Sequence, residues 1–237
     1  MTMSKRGIIF QLVILLILTW STAVGAAPDQ GIQGMGWGRV GIGYWYPDLQ
    51  GLNKVLEGHG EFTTPLAIGI GGGEGGIVPG FSFGGFGGGG TITEDNARLS
   101  AGFGGFSFNR TFPLKGGYWY CGGLLGGGGA ELLITKTPSV PIGTVGDAVS
   151  QSPHTYLTTN FFLIGPQLGV QFPITPIIQL QASAGYLFTV GGNWRLAGSQ
   201  ELAGGQVNWN GPVFTIGVTF GGSGVIPEPE EADAISI

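Results

Sequence analysis

The chain has 237 residues, of which 50 are glycine, 15 are phenylalanine and only 10% are charged, and its mean hydropathy is +0.29. This composition is too apolar for a disordered chain and too rich in glycine for a helical one. A soluble domain normally carries about 25% charged residues, so the composition indicates one all-β domain placed in an apolar environment.

The N-terminal segment has the pattern of a secretory signal peptide. Lys5 and Arg6 precede an apolar run at residues 8–18, and small residues follow at 21–27. This order predicts export and makes residues 1–26 the leader, since the run of 11 positions is shorter than the roughly 20 of a spanning helix. Without the leader, seven basic residues remain against 14 acidic ones, so nucleic acid is not expected as a partner.

The remaining chain alternates apolar residues with small or polar ones at period two. In residues 178–190 the apolar positions alternate with glutamine, serine, glycine and threonine, and only Leu187 breaks the pattern. Period two is the geometry of a β-strand. On this basis eight segments are predicted to be strands, although glycine blurs the phase in four of them: residues 39–46, 66–73, 80–90, 97–108, 117–134, 162–172, 178–190 and 213–220.

These strands predict a barrel that crosses a membrane. No second stretch is long and apolar enough for a spanning helix, and only helices and closed barrels satisfy every backbone group in lipid. We therefore predict an antiparallel, up-and-down transmembrane β-barrel of about eight strands. The three long connections, at residues 47–65, 135–154 and 191–210, all lie at one end of it. Because such barrels keep short turns in the periplasm, both termini are expected there.

The leader, the alternating strands and the closing segment at residues 212–220 resemble the small, about eight-stranded outer-membrane β-barrel proteins of bacteria. The resemblance covers the architecture from about Gly36 to Phe220 and implies the outer membrane of a double-membraned bacterium as the location. It implies the lipid bilayer and the barrel-assembly machinery as partners, with Phe220 as the assembly signal. Residues 27–220 are predicted to form the barrel domain, and the acidic residues 221–237 a flexible tail.

Glycine inside strands needs a physical account, because it costs roughly 0.5–1 kcal/mol relative to alanine. In one account, aromatic rings lie across glycines of the neighbouring strand; the candidates are Phe83, Phe86, Phe103, Phe106 and Tyr118. In the other, a bare inner wall leaves a narrow lumen in a barrel that side chains would ordinarily fill. Residues 81–86 and 103–108 each contain a Gly-Gly pair where the phenylalanines change phase, which predicts a β-bulge.

Aromatic residues also cluster near the predicted strand ends, where their rings favour the level of lipid headgroups. The predicted interface aromatics are Trp37, Tyr44, Trp45, Tyr46, Tyr118, Trp119 and Tyr120.

Two charged residues fall on strand faces that we assign to the interior. Arg39 and Glu131 are each surrounded by glycine, and as lumen charges they could form an ion pair; hydration at the rim is the alternative. In the first long loop, Leu49, Leu52 and Leu56 recur at helical spacing. They predict a short helix that caps the barrel mouth or contacts the outer leaflet or a partner.

The sequence contains no recognisable catalytic, cofactor or metal site. His59 and His154 lie in predicted loops, and Ser152 beside His154 has no evident third group of the kind that orients the base of an activated serine. Two distant histidines and the lone Cys121 make no metal-ligand set. We therefore predict neither an enzyme nor a cofactor.

The predicted function is that of an outer-membrane β-barrel with a structural or surface-interaction role. One alternative is a narrow, porin-like pore or a barrel that binds a small or apolar ligand of unspecified identity. The other is a secreted, soluble, glycine-rich β-protein.

Overall fold

The computed structural model describes residues 33–56, 61–63, 65–78, 80–135, 154–196, 200–202 and 207–225. The predicted leader at residues 1–26 and residues 226–237 of the predicted tail lie outside the described residues.

Eight long antiparallel strands form a closed barrel. Each pairs with its neighbour along the chain, and the first strand pairs with the last to close the sheet. A hairpin of two short strands extends from the edge of the sixth. The strands are β1 (Gln33–Trp45), β2 (Leu66–Val78), β3 (Gly80–Glu94), β4 (Ala97–Leu114), β5 (Gly117–Thr135), β6 (His154–Pro173), β7 (Ile178–Gly191), the hairpin strands β8 (Arg195–Leu196) and β9 (Gln200–Glu201), and β10 (Gly211–Val225). The predicted all-β fold and its closed barrel of about eight strands are confirmed.

One short helix, α1 (Gln50–Val55), lies in the connection between β1 and β2. Among the described residues, no helix combines the length and the apolar character that a bilayer-spanning segment needs.

The alternation of side chains sorts each strand into an inner and an outer face. In β7 the even-numbered residues from Ile178 to Val190 face outward, whereas Gln179 and Gln181 are buried inside. The register between β3 and β4 runs from Gly80 to Glu94 without a break, so the predicted bulge is wrong. The phenylalanines of β3 change face across the Gly-Gly pair simply because odd and even positions point to opposite sides.

The two ends of the barrel differ in their connections. At one end, β2 and β3 are one residue apart along the chain, residues 115–116 join β4 to β5 and residues 174–177 join β6 to β7, and β1 begins and β10 ends there. We call this the short-turn end. At the other, the long-loop end, lie the three long connections, as predicted, together with the tight β3–β4 hairpin at residues 95–96.

The last strand continues past the predicted domain boundary. Residues 221–225 pair with β1, including Gly221 with Trp37 and Val225 with Gln33. The barrel therefore includes five residues that were predicted to belong to the tail, because their backbone pairs with the first residues of β1.

Candidate functional site

The interior near the short-turn end is a polar network centred on one buried ion pair. Nη1 of Arg39 on β1 lies 3.6 Å from Oε1 of Glu74 on β2, and both side chains are at least nine-tenths buried. Three donors surround the carboxylate: Ser107 Oγ at 2.9 Å, Asn109 Nδ2 at 3.0 Å and Ser82 Oγ at 3.2 Å. A buried charge of this kind persists when its remaining lone pairs are hydrogen-bonded, and here β3 and β4 supply the donors.

The network continues around the barrel wall. Asn109 also links the network to β6, because its Oδ1 accepts a hydrogen bond of 2.6 Å from Gln167 Nε2. The Gln181 side chain of β7 donates to the Tyr120 hydroxyl of β5, and Ser183 and Thr215 share a hydrogen bond of 2.6 Å between β7 and β10. Side chains from all eight strands therefore take part in polar contacts inside the barrel, in more than one group.

The interior near the long-loop end is filled by an apolar plug. Trp45 is fully buried at its centre, with its ring centroid 5.4 Å from that of Phe103, 5.8 Å from Trp209 and 6.1 Å from Phe161. Leu187, the exception in the alternation of β7, is fully buried in the same cluster. This explains its break in the pattern, since its inward position lies at the level of the plug rather than at the polar network.

Helix α1 closes the mouth of the barrel, as its leucine spacing predicts. Leu49, Leu52 and Leu56 are buried in the plug. Two reciprocal hydrogen bonds of 3.1 Å between the Asn53 side chain and the Phe62 backbone hold the helix against the residues that follow it. The loops are also joined to each other, because Asp48 forms an antiparallel bridge with Asn208 in the connection before β10.

A small cavity of about 40 Å³ separates the network from the plug. Its polar side includes Arg39, Gln167 and Thr215, and its apolar side includes Phe86 and Phe103. Since one water needs roughly 10–15 Å³ of this kind of volume, the cavity has room for about three water molecules and not for a larger solute.

The outer surface has the opposite polarity to the interior. Large apolar side chains stand exposed around β1, β6, β7 and β10, among them Val190 (71% exposed), Ile42 (67%) and Phe214 (50%). Charged side chains occur toward the strand ends, such as Arg98 beside the β3–β4 hairpin and Arg110 near the short-turn end. Arg110 lies over the rings of Phe81 and Phe112.

The two candidate lumen charges lie on different faces of the barrel. Arg39 points inside, but Glu131 is exposed on the outer face of β5, where its neighbours Ala130 and Leu132 are the buried residues. The suggested Arg39–Glu131 pair is therefore wrong, and Glu74 is the partner of Arg39. Glu74 was missed because the predicted second strand ended at residue 73. Its position continues the even-numbered phase of Leu66 and Ile68, which could have identified it.

The predicted interface aromatics also divide between the faces. Tyr44 and Tyr46 are exposed outside the barrel, and Trp119 lies outside in a stack with Phe112 at 4.2 Å. The other four belong to the interior, which corrects their assignment: Trp37 packs with Tyr118, Trp45 forms the plug, and Tyr120 joins the polar network. Three consecutive aromatics of one strand cannot all face lipid, because alternate residues point to opposite sides.

Aromatic rings cover several inward glycines of the next strand. Phe161 lies across Gly128, and Phe103 lies across Gly88. Tyr120 covers Gly169 in the same way. The packing account of the glycines therefore holds at these positions, although two of the predicted rings, Phe83 and Phe106, face outward.

Of the residues considered for catalysis, the structure describes only His154. His154 is exposed at the first position of β6, and His59 and Ser152 lie outside the described residues. Within the described ranges, no group of three or more histidine, cysteine, aspartate or glutamate side chains is arranged to hold a metal ion. Phe220, the proposed assembly signal, is exposed on the outer face of β10.

No protein-family model matches the sequence. A search of curated protein sequences also finds no match. Among solved structures, the chain is similar to Ail, the attachment invasion locus protein of Yersinia pestis, in a crystal structure with the heparin analogue sucrose octasulfate. The identity is 11% and the TM-score is 0.42, over 81% of this chain and 99% of Ail. A likeness at this level concerns architecture alone, so function is argued from the residues of this chain.

Proposed function

We propose that this protein is an outer-membrane β-barrel that is closed to solutes and serves a structural or surface-interaction role. The observation that carries the proposal is the inverted polarity of the barrel. Val40, Ile42 and Val190 are exposed outside, while an ion pair and a network of amides and hydroxyls are buried inside. Such a distribution is stable when the surrounding solvent is hydrocarbon.

The strand lengths also fit a bilayer. The eight barrel strands contain 13 to 20 residues, whereas a tilted strand needs about 9–11 to cross the hydrocarbon layer. The excess places the strand ends in the headgroup regions and beyond. The predicted leader supplies the route of export, and the barrel-assembly machinery is the partner that insertion requires in an outer membrane.

The filled interior favours a structural or surface role over a pore. A solute would have to displace both the plug around Trp45 and the network around Glu74. The cavity between them has a volume of only about 40 Å³, which also disfavours a sizeable internal ligand. The interaction surface is then the long-loop end, where α1 and the Asp48–Asn208 bridge give the loops a fixed arrangement.

The first experiment is to fractionate the cell envelope and compare the gel mobility of the detergent-extracted protein with and without boiling. We expect the protein in the outer-membrane fraction, with a mobility shift on boiling. A soluble protein without a shift would contradict the bilayer proposal and support the secreted alternative.

A second experiment separates the closed barrel from a pore. We expect the purified protein, reconstituted in planar bilayers, to give no steady conductance, because both interior layers block the path. The matched variant Trp45→Ala with Trp209→Ala opens the plug while leaving the polar network in place. Steady conductance of the wild-type protein would favour the pore instead.

A further inference from the structure

In the middle of the barrel and toward the long-loop end, the outer face of β2, β3, β4 and β5 is built from glycine, whereas nearer the short-turn end the same strands expose large side chains such as Phe83 and Phe106. The register places Gly71 beside Gly87, Gly87 beside Gly104, and Gly104 beside Gly127, which makes an unbroken row across four strands. Since neighbouring strands lie about 4.8 Å apart, the row is roughly 14 Å wide. A second row runs parallel to it toward the long-loop end. We call both rows together the glycine face: Gly69, Gly71, Gly87, Gly89, Gly102, Gly104, Gly127 and Gly129.

The rest of the outer wall does not share this composition. The outward positions of β6, β7 and β10 carry large side chains such as Phe162, Tyr186 and Ile216. These strands and the glycine face meet the same depth of the proposed bilayer. Contact with lipid alone therefore does not account for the difference between the two sides.

The fold itself does not require glycine at four of the eight positions of this face. A Cβ added at Gly69 would meet nothing within 4 Å, and at Gly71, Gly87 and Gly102 it would find its nearest neighbour at 3.6 to 3.7 Å, which is ordinary contact. Inward glycines of the same strands differ, since a Cβ at Gly128 would lie 2.6 Å from the Phe161 ring. Contacts within the chain therefore explain the inward glycines. They also explain Gly89 and Gly129 on the outer face, where a Cβ would lie 2.9 Å from its nearest neighbour, but not Gly69, Gly71, Gly87 and Gly102.

Contact with a rigid partner that approaches the backbone closely would explain why glycine occupies these outward positions. Small residues at membrane interfaces allow two backbones to come together and gain contacts that larger side chains would prevent. Fluid lipid chains contact alanine as readily as glycine, although glycine destabilises a strand relative to alanine.

The charges beside the glycine face indicate that the partner is a second copy of this chain. Arg98 and Glu131 are exposed on the outer sides of β4 and β5, next to the glycine rows toward the long-loop end. Among the described residues, neither belongs to an ion pair within the chain, although the Tyr156 hydroxyl forms a hydrogen bond with Glu131. Arg98 pairs with Leu133 and Glu131 pairs with Ser100, so the two charges lie within two register positions of each other on neighbouring strands. A two-fold axis along the bilayer normal brings equal depths of two copies together, and it can therefore place Arg98 of one copy near Glu131 of the other.

We propose that two copies of this protein associate in the bilayer through their glycine faces, with Arg98 and Glu131 pairing between the copies. The proposal rests on the bilayer placement argued under the proposed function. It adds a specific lateral partner to a barrel whose loop end stays free.

Cysteine cross-linking tests the contact directly. In a Cys121→Ser background, Gly87→Cys places a thiol on the glycine face, and Ala182→Cys places a matched thiol on the outer face of β7. After reconstitution in phospholipid vesicles and mild oxidation, we expect a disulfide dimer from the first variant and not from the second. Boiling-dependent mobility, measured on both, reports whether the barrel has formed. Folded, vesicle-bound barrels that do not cross-link at Gly87 would overturn the dimer and leave the bilayer proposal standing.

Side-chain bulk tests whether close approach is the cause. We expect Gly87→Leu with Gly102→Leu to weaken dimerisation in vesicles by at least about tenfold, the equivalent of about 1.4 kcal/mol, as measured by energy transfer between labelled copies. Ala182→Leu is the control and should leave the dimer unchanged. An unaltered dimer in the leucine variant would overturn the glycine interface, and so would a glycine face occupied by a co-purifying lipid in a protein that stays monomeric.

Charge exchange identifies the partner as a second copy. Arg98→Glu and Glu131→Arg should each weaken the homodimer, whereas a mixture of the two variants should form a heterodimer with restored affinity. Recovery only in mixtures requires contact between copies, since a contact within one chain cannot be restored by mixing. Equal affinity of the homodimers and the mixture would overturn the assigned ion pair.

Discussion

The barrel interior is apolar near the long-loop end and polar near the short-turn end. The apolar half holds together by burial of rings around Trp45 and Trp209, a contribution that depends mainly on area and shape. The polar half depends on individual partners, because Glu74 balances one cation and accepts from three donors. The apolar half should therefore tolerate the replacement of one buried ring by another, and the polar half should not tolerate the loss of a partner.

In lipid, the polar half of the interior contributes more than the outer face to specifying the structure. Lipid chains are as apolar as the outer side chains, so the outer face gains little from burial that would specify the structure. A buried polar network favours one arrangement through the groups that it satisfies; here the Glu74 carboxylate accepts from three donors, whereas Arg39 Nε has no hydrogen-bond partner. In this barrel the ion pair and the hydrogen bonds of the network link residues of different strands, which favours one register between those strands. The plug fills the rest of the interior.

The largest effect is expected from Glu74→Ala. The change leaves Arg39 buried without a counter-charge, which costs about 3–5 kcal/mol of stability. It also removes the acceptor of three hydrogen bonds, and each lost bond costs about 1 kcal/mol or more. We expect the free energy of unfolding to fall by about 5 kcal/mol or more, measured by denaturant titration in detergent micelles. The double variant Arg39→Met with Glu74→Gln is the control.

In that control the charge is removed from both sides and an amide acceptor remains. We expect its loss of stability to be smaller than that of Glu74→Ala. If the double variant loses as much as the single variant, the ion pair is not what makes the polar half sensitive.

A somewhat smaller effect is expected from Trp45→Ala in the apolar half. Removing a fully buried aromatic side chain costs about 3–5 kcal/mol through lost burial and the cavity that remains. Trp45→Phe keeps a ring in the plug and should recover most of this loss, as measured by the same titration. An equal loss in the phenylalanine variant would show that the plug depends on a specific indole contact rather than on filled volume.

Much of the fold follows from the sequence because period two is a local signal. The strands around Ile178 and Phe214 alternate strictly, and their faces are assigned correctly. The boundaries are less accurate, since residues 74–78 and 221–225 pair as strand although their composition is typical of turns. Backbone pairing decides these positions, and a neighbouring strand supplies it from far along the chain.

The interior was harder to predict because its partners are distant in sequence. Asn109 and Gln167 meet only after the barrel closes, and no local pattern records which inward residues share one level. Glu131 was assigned to the interior because glycine surrounds it, but its phase relative to Leu132 places it outside. Counting phase from an unambiguous neighbour corrects this error, whereas the choice of Glu74 as the partner of Arg39 needs the register.

The smallest effect distinguishes the inner wall beside the plug from the outer wall. Gly128→Ala introduces a Cβ that would meet the backbone carbonyl oxygen of Gly102 and lie 2.6 Å from the Phe161 ring, and such overpacking costs about 1–3 kcal/mol. Gly38→Ala on the outer face of β1 meets nothing closer than 3.8 Å, so it should raise the free energy of unfolding by about 0.5–1 kcal/mol, the usual advantage of alanine in a strand. Both values are measured on the detergent-solubilised monomer. If Gly128→Ala is as stable as Gly38→Ala, the plug adjusts its rings without cost, and the apolar half is more deformable than its packed rings indicate.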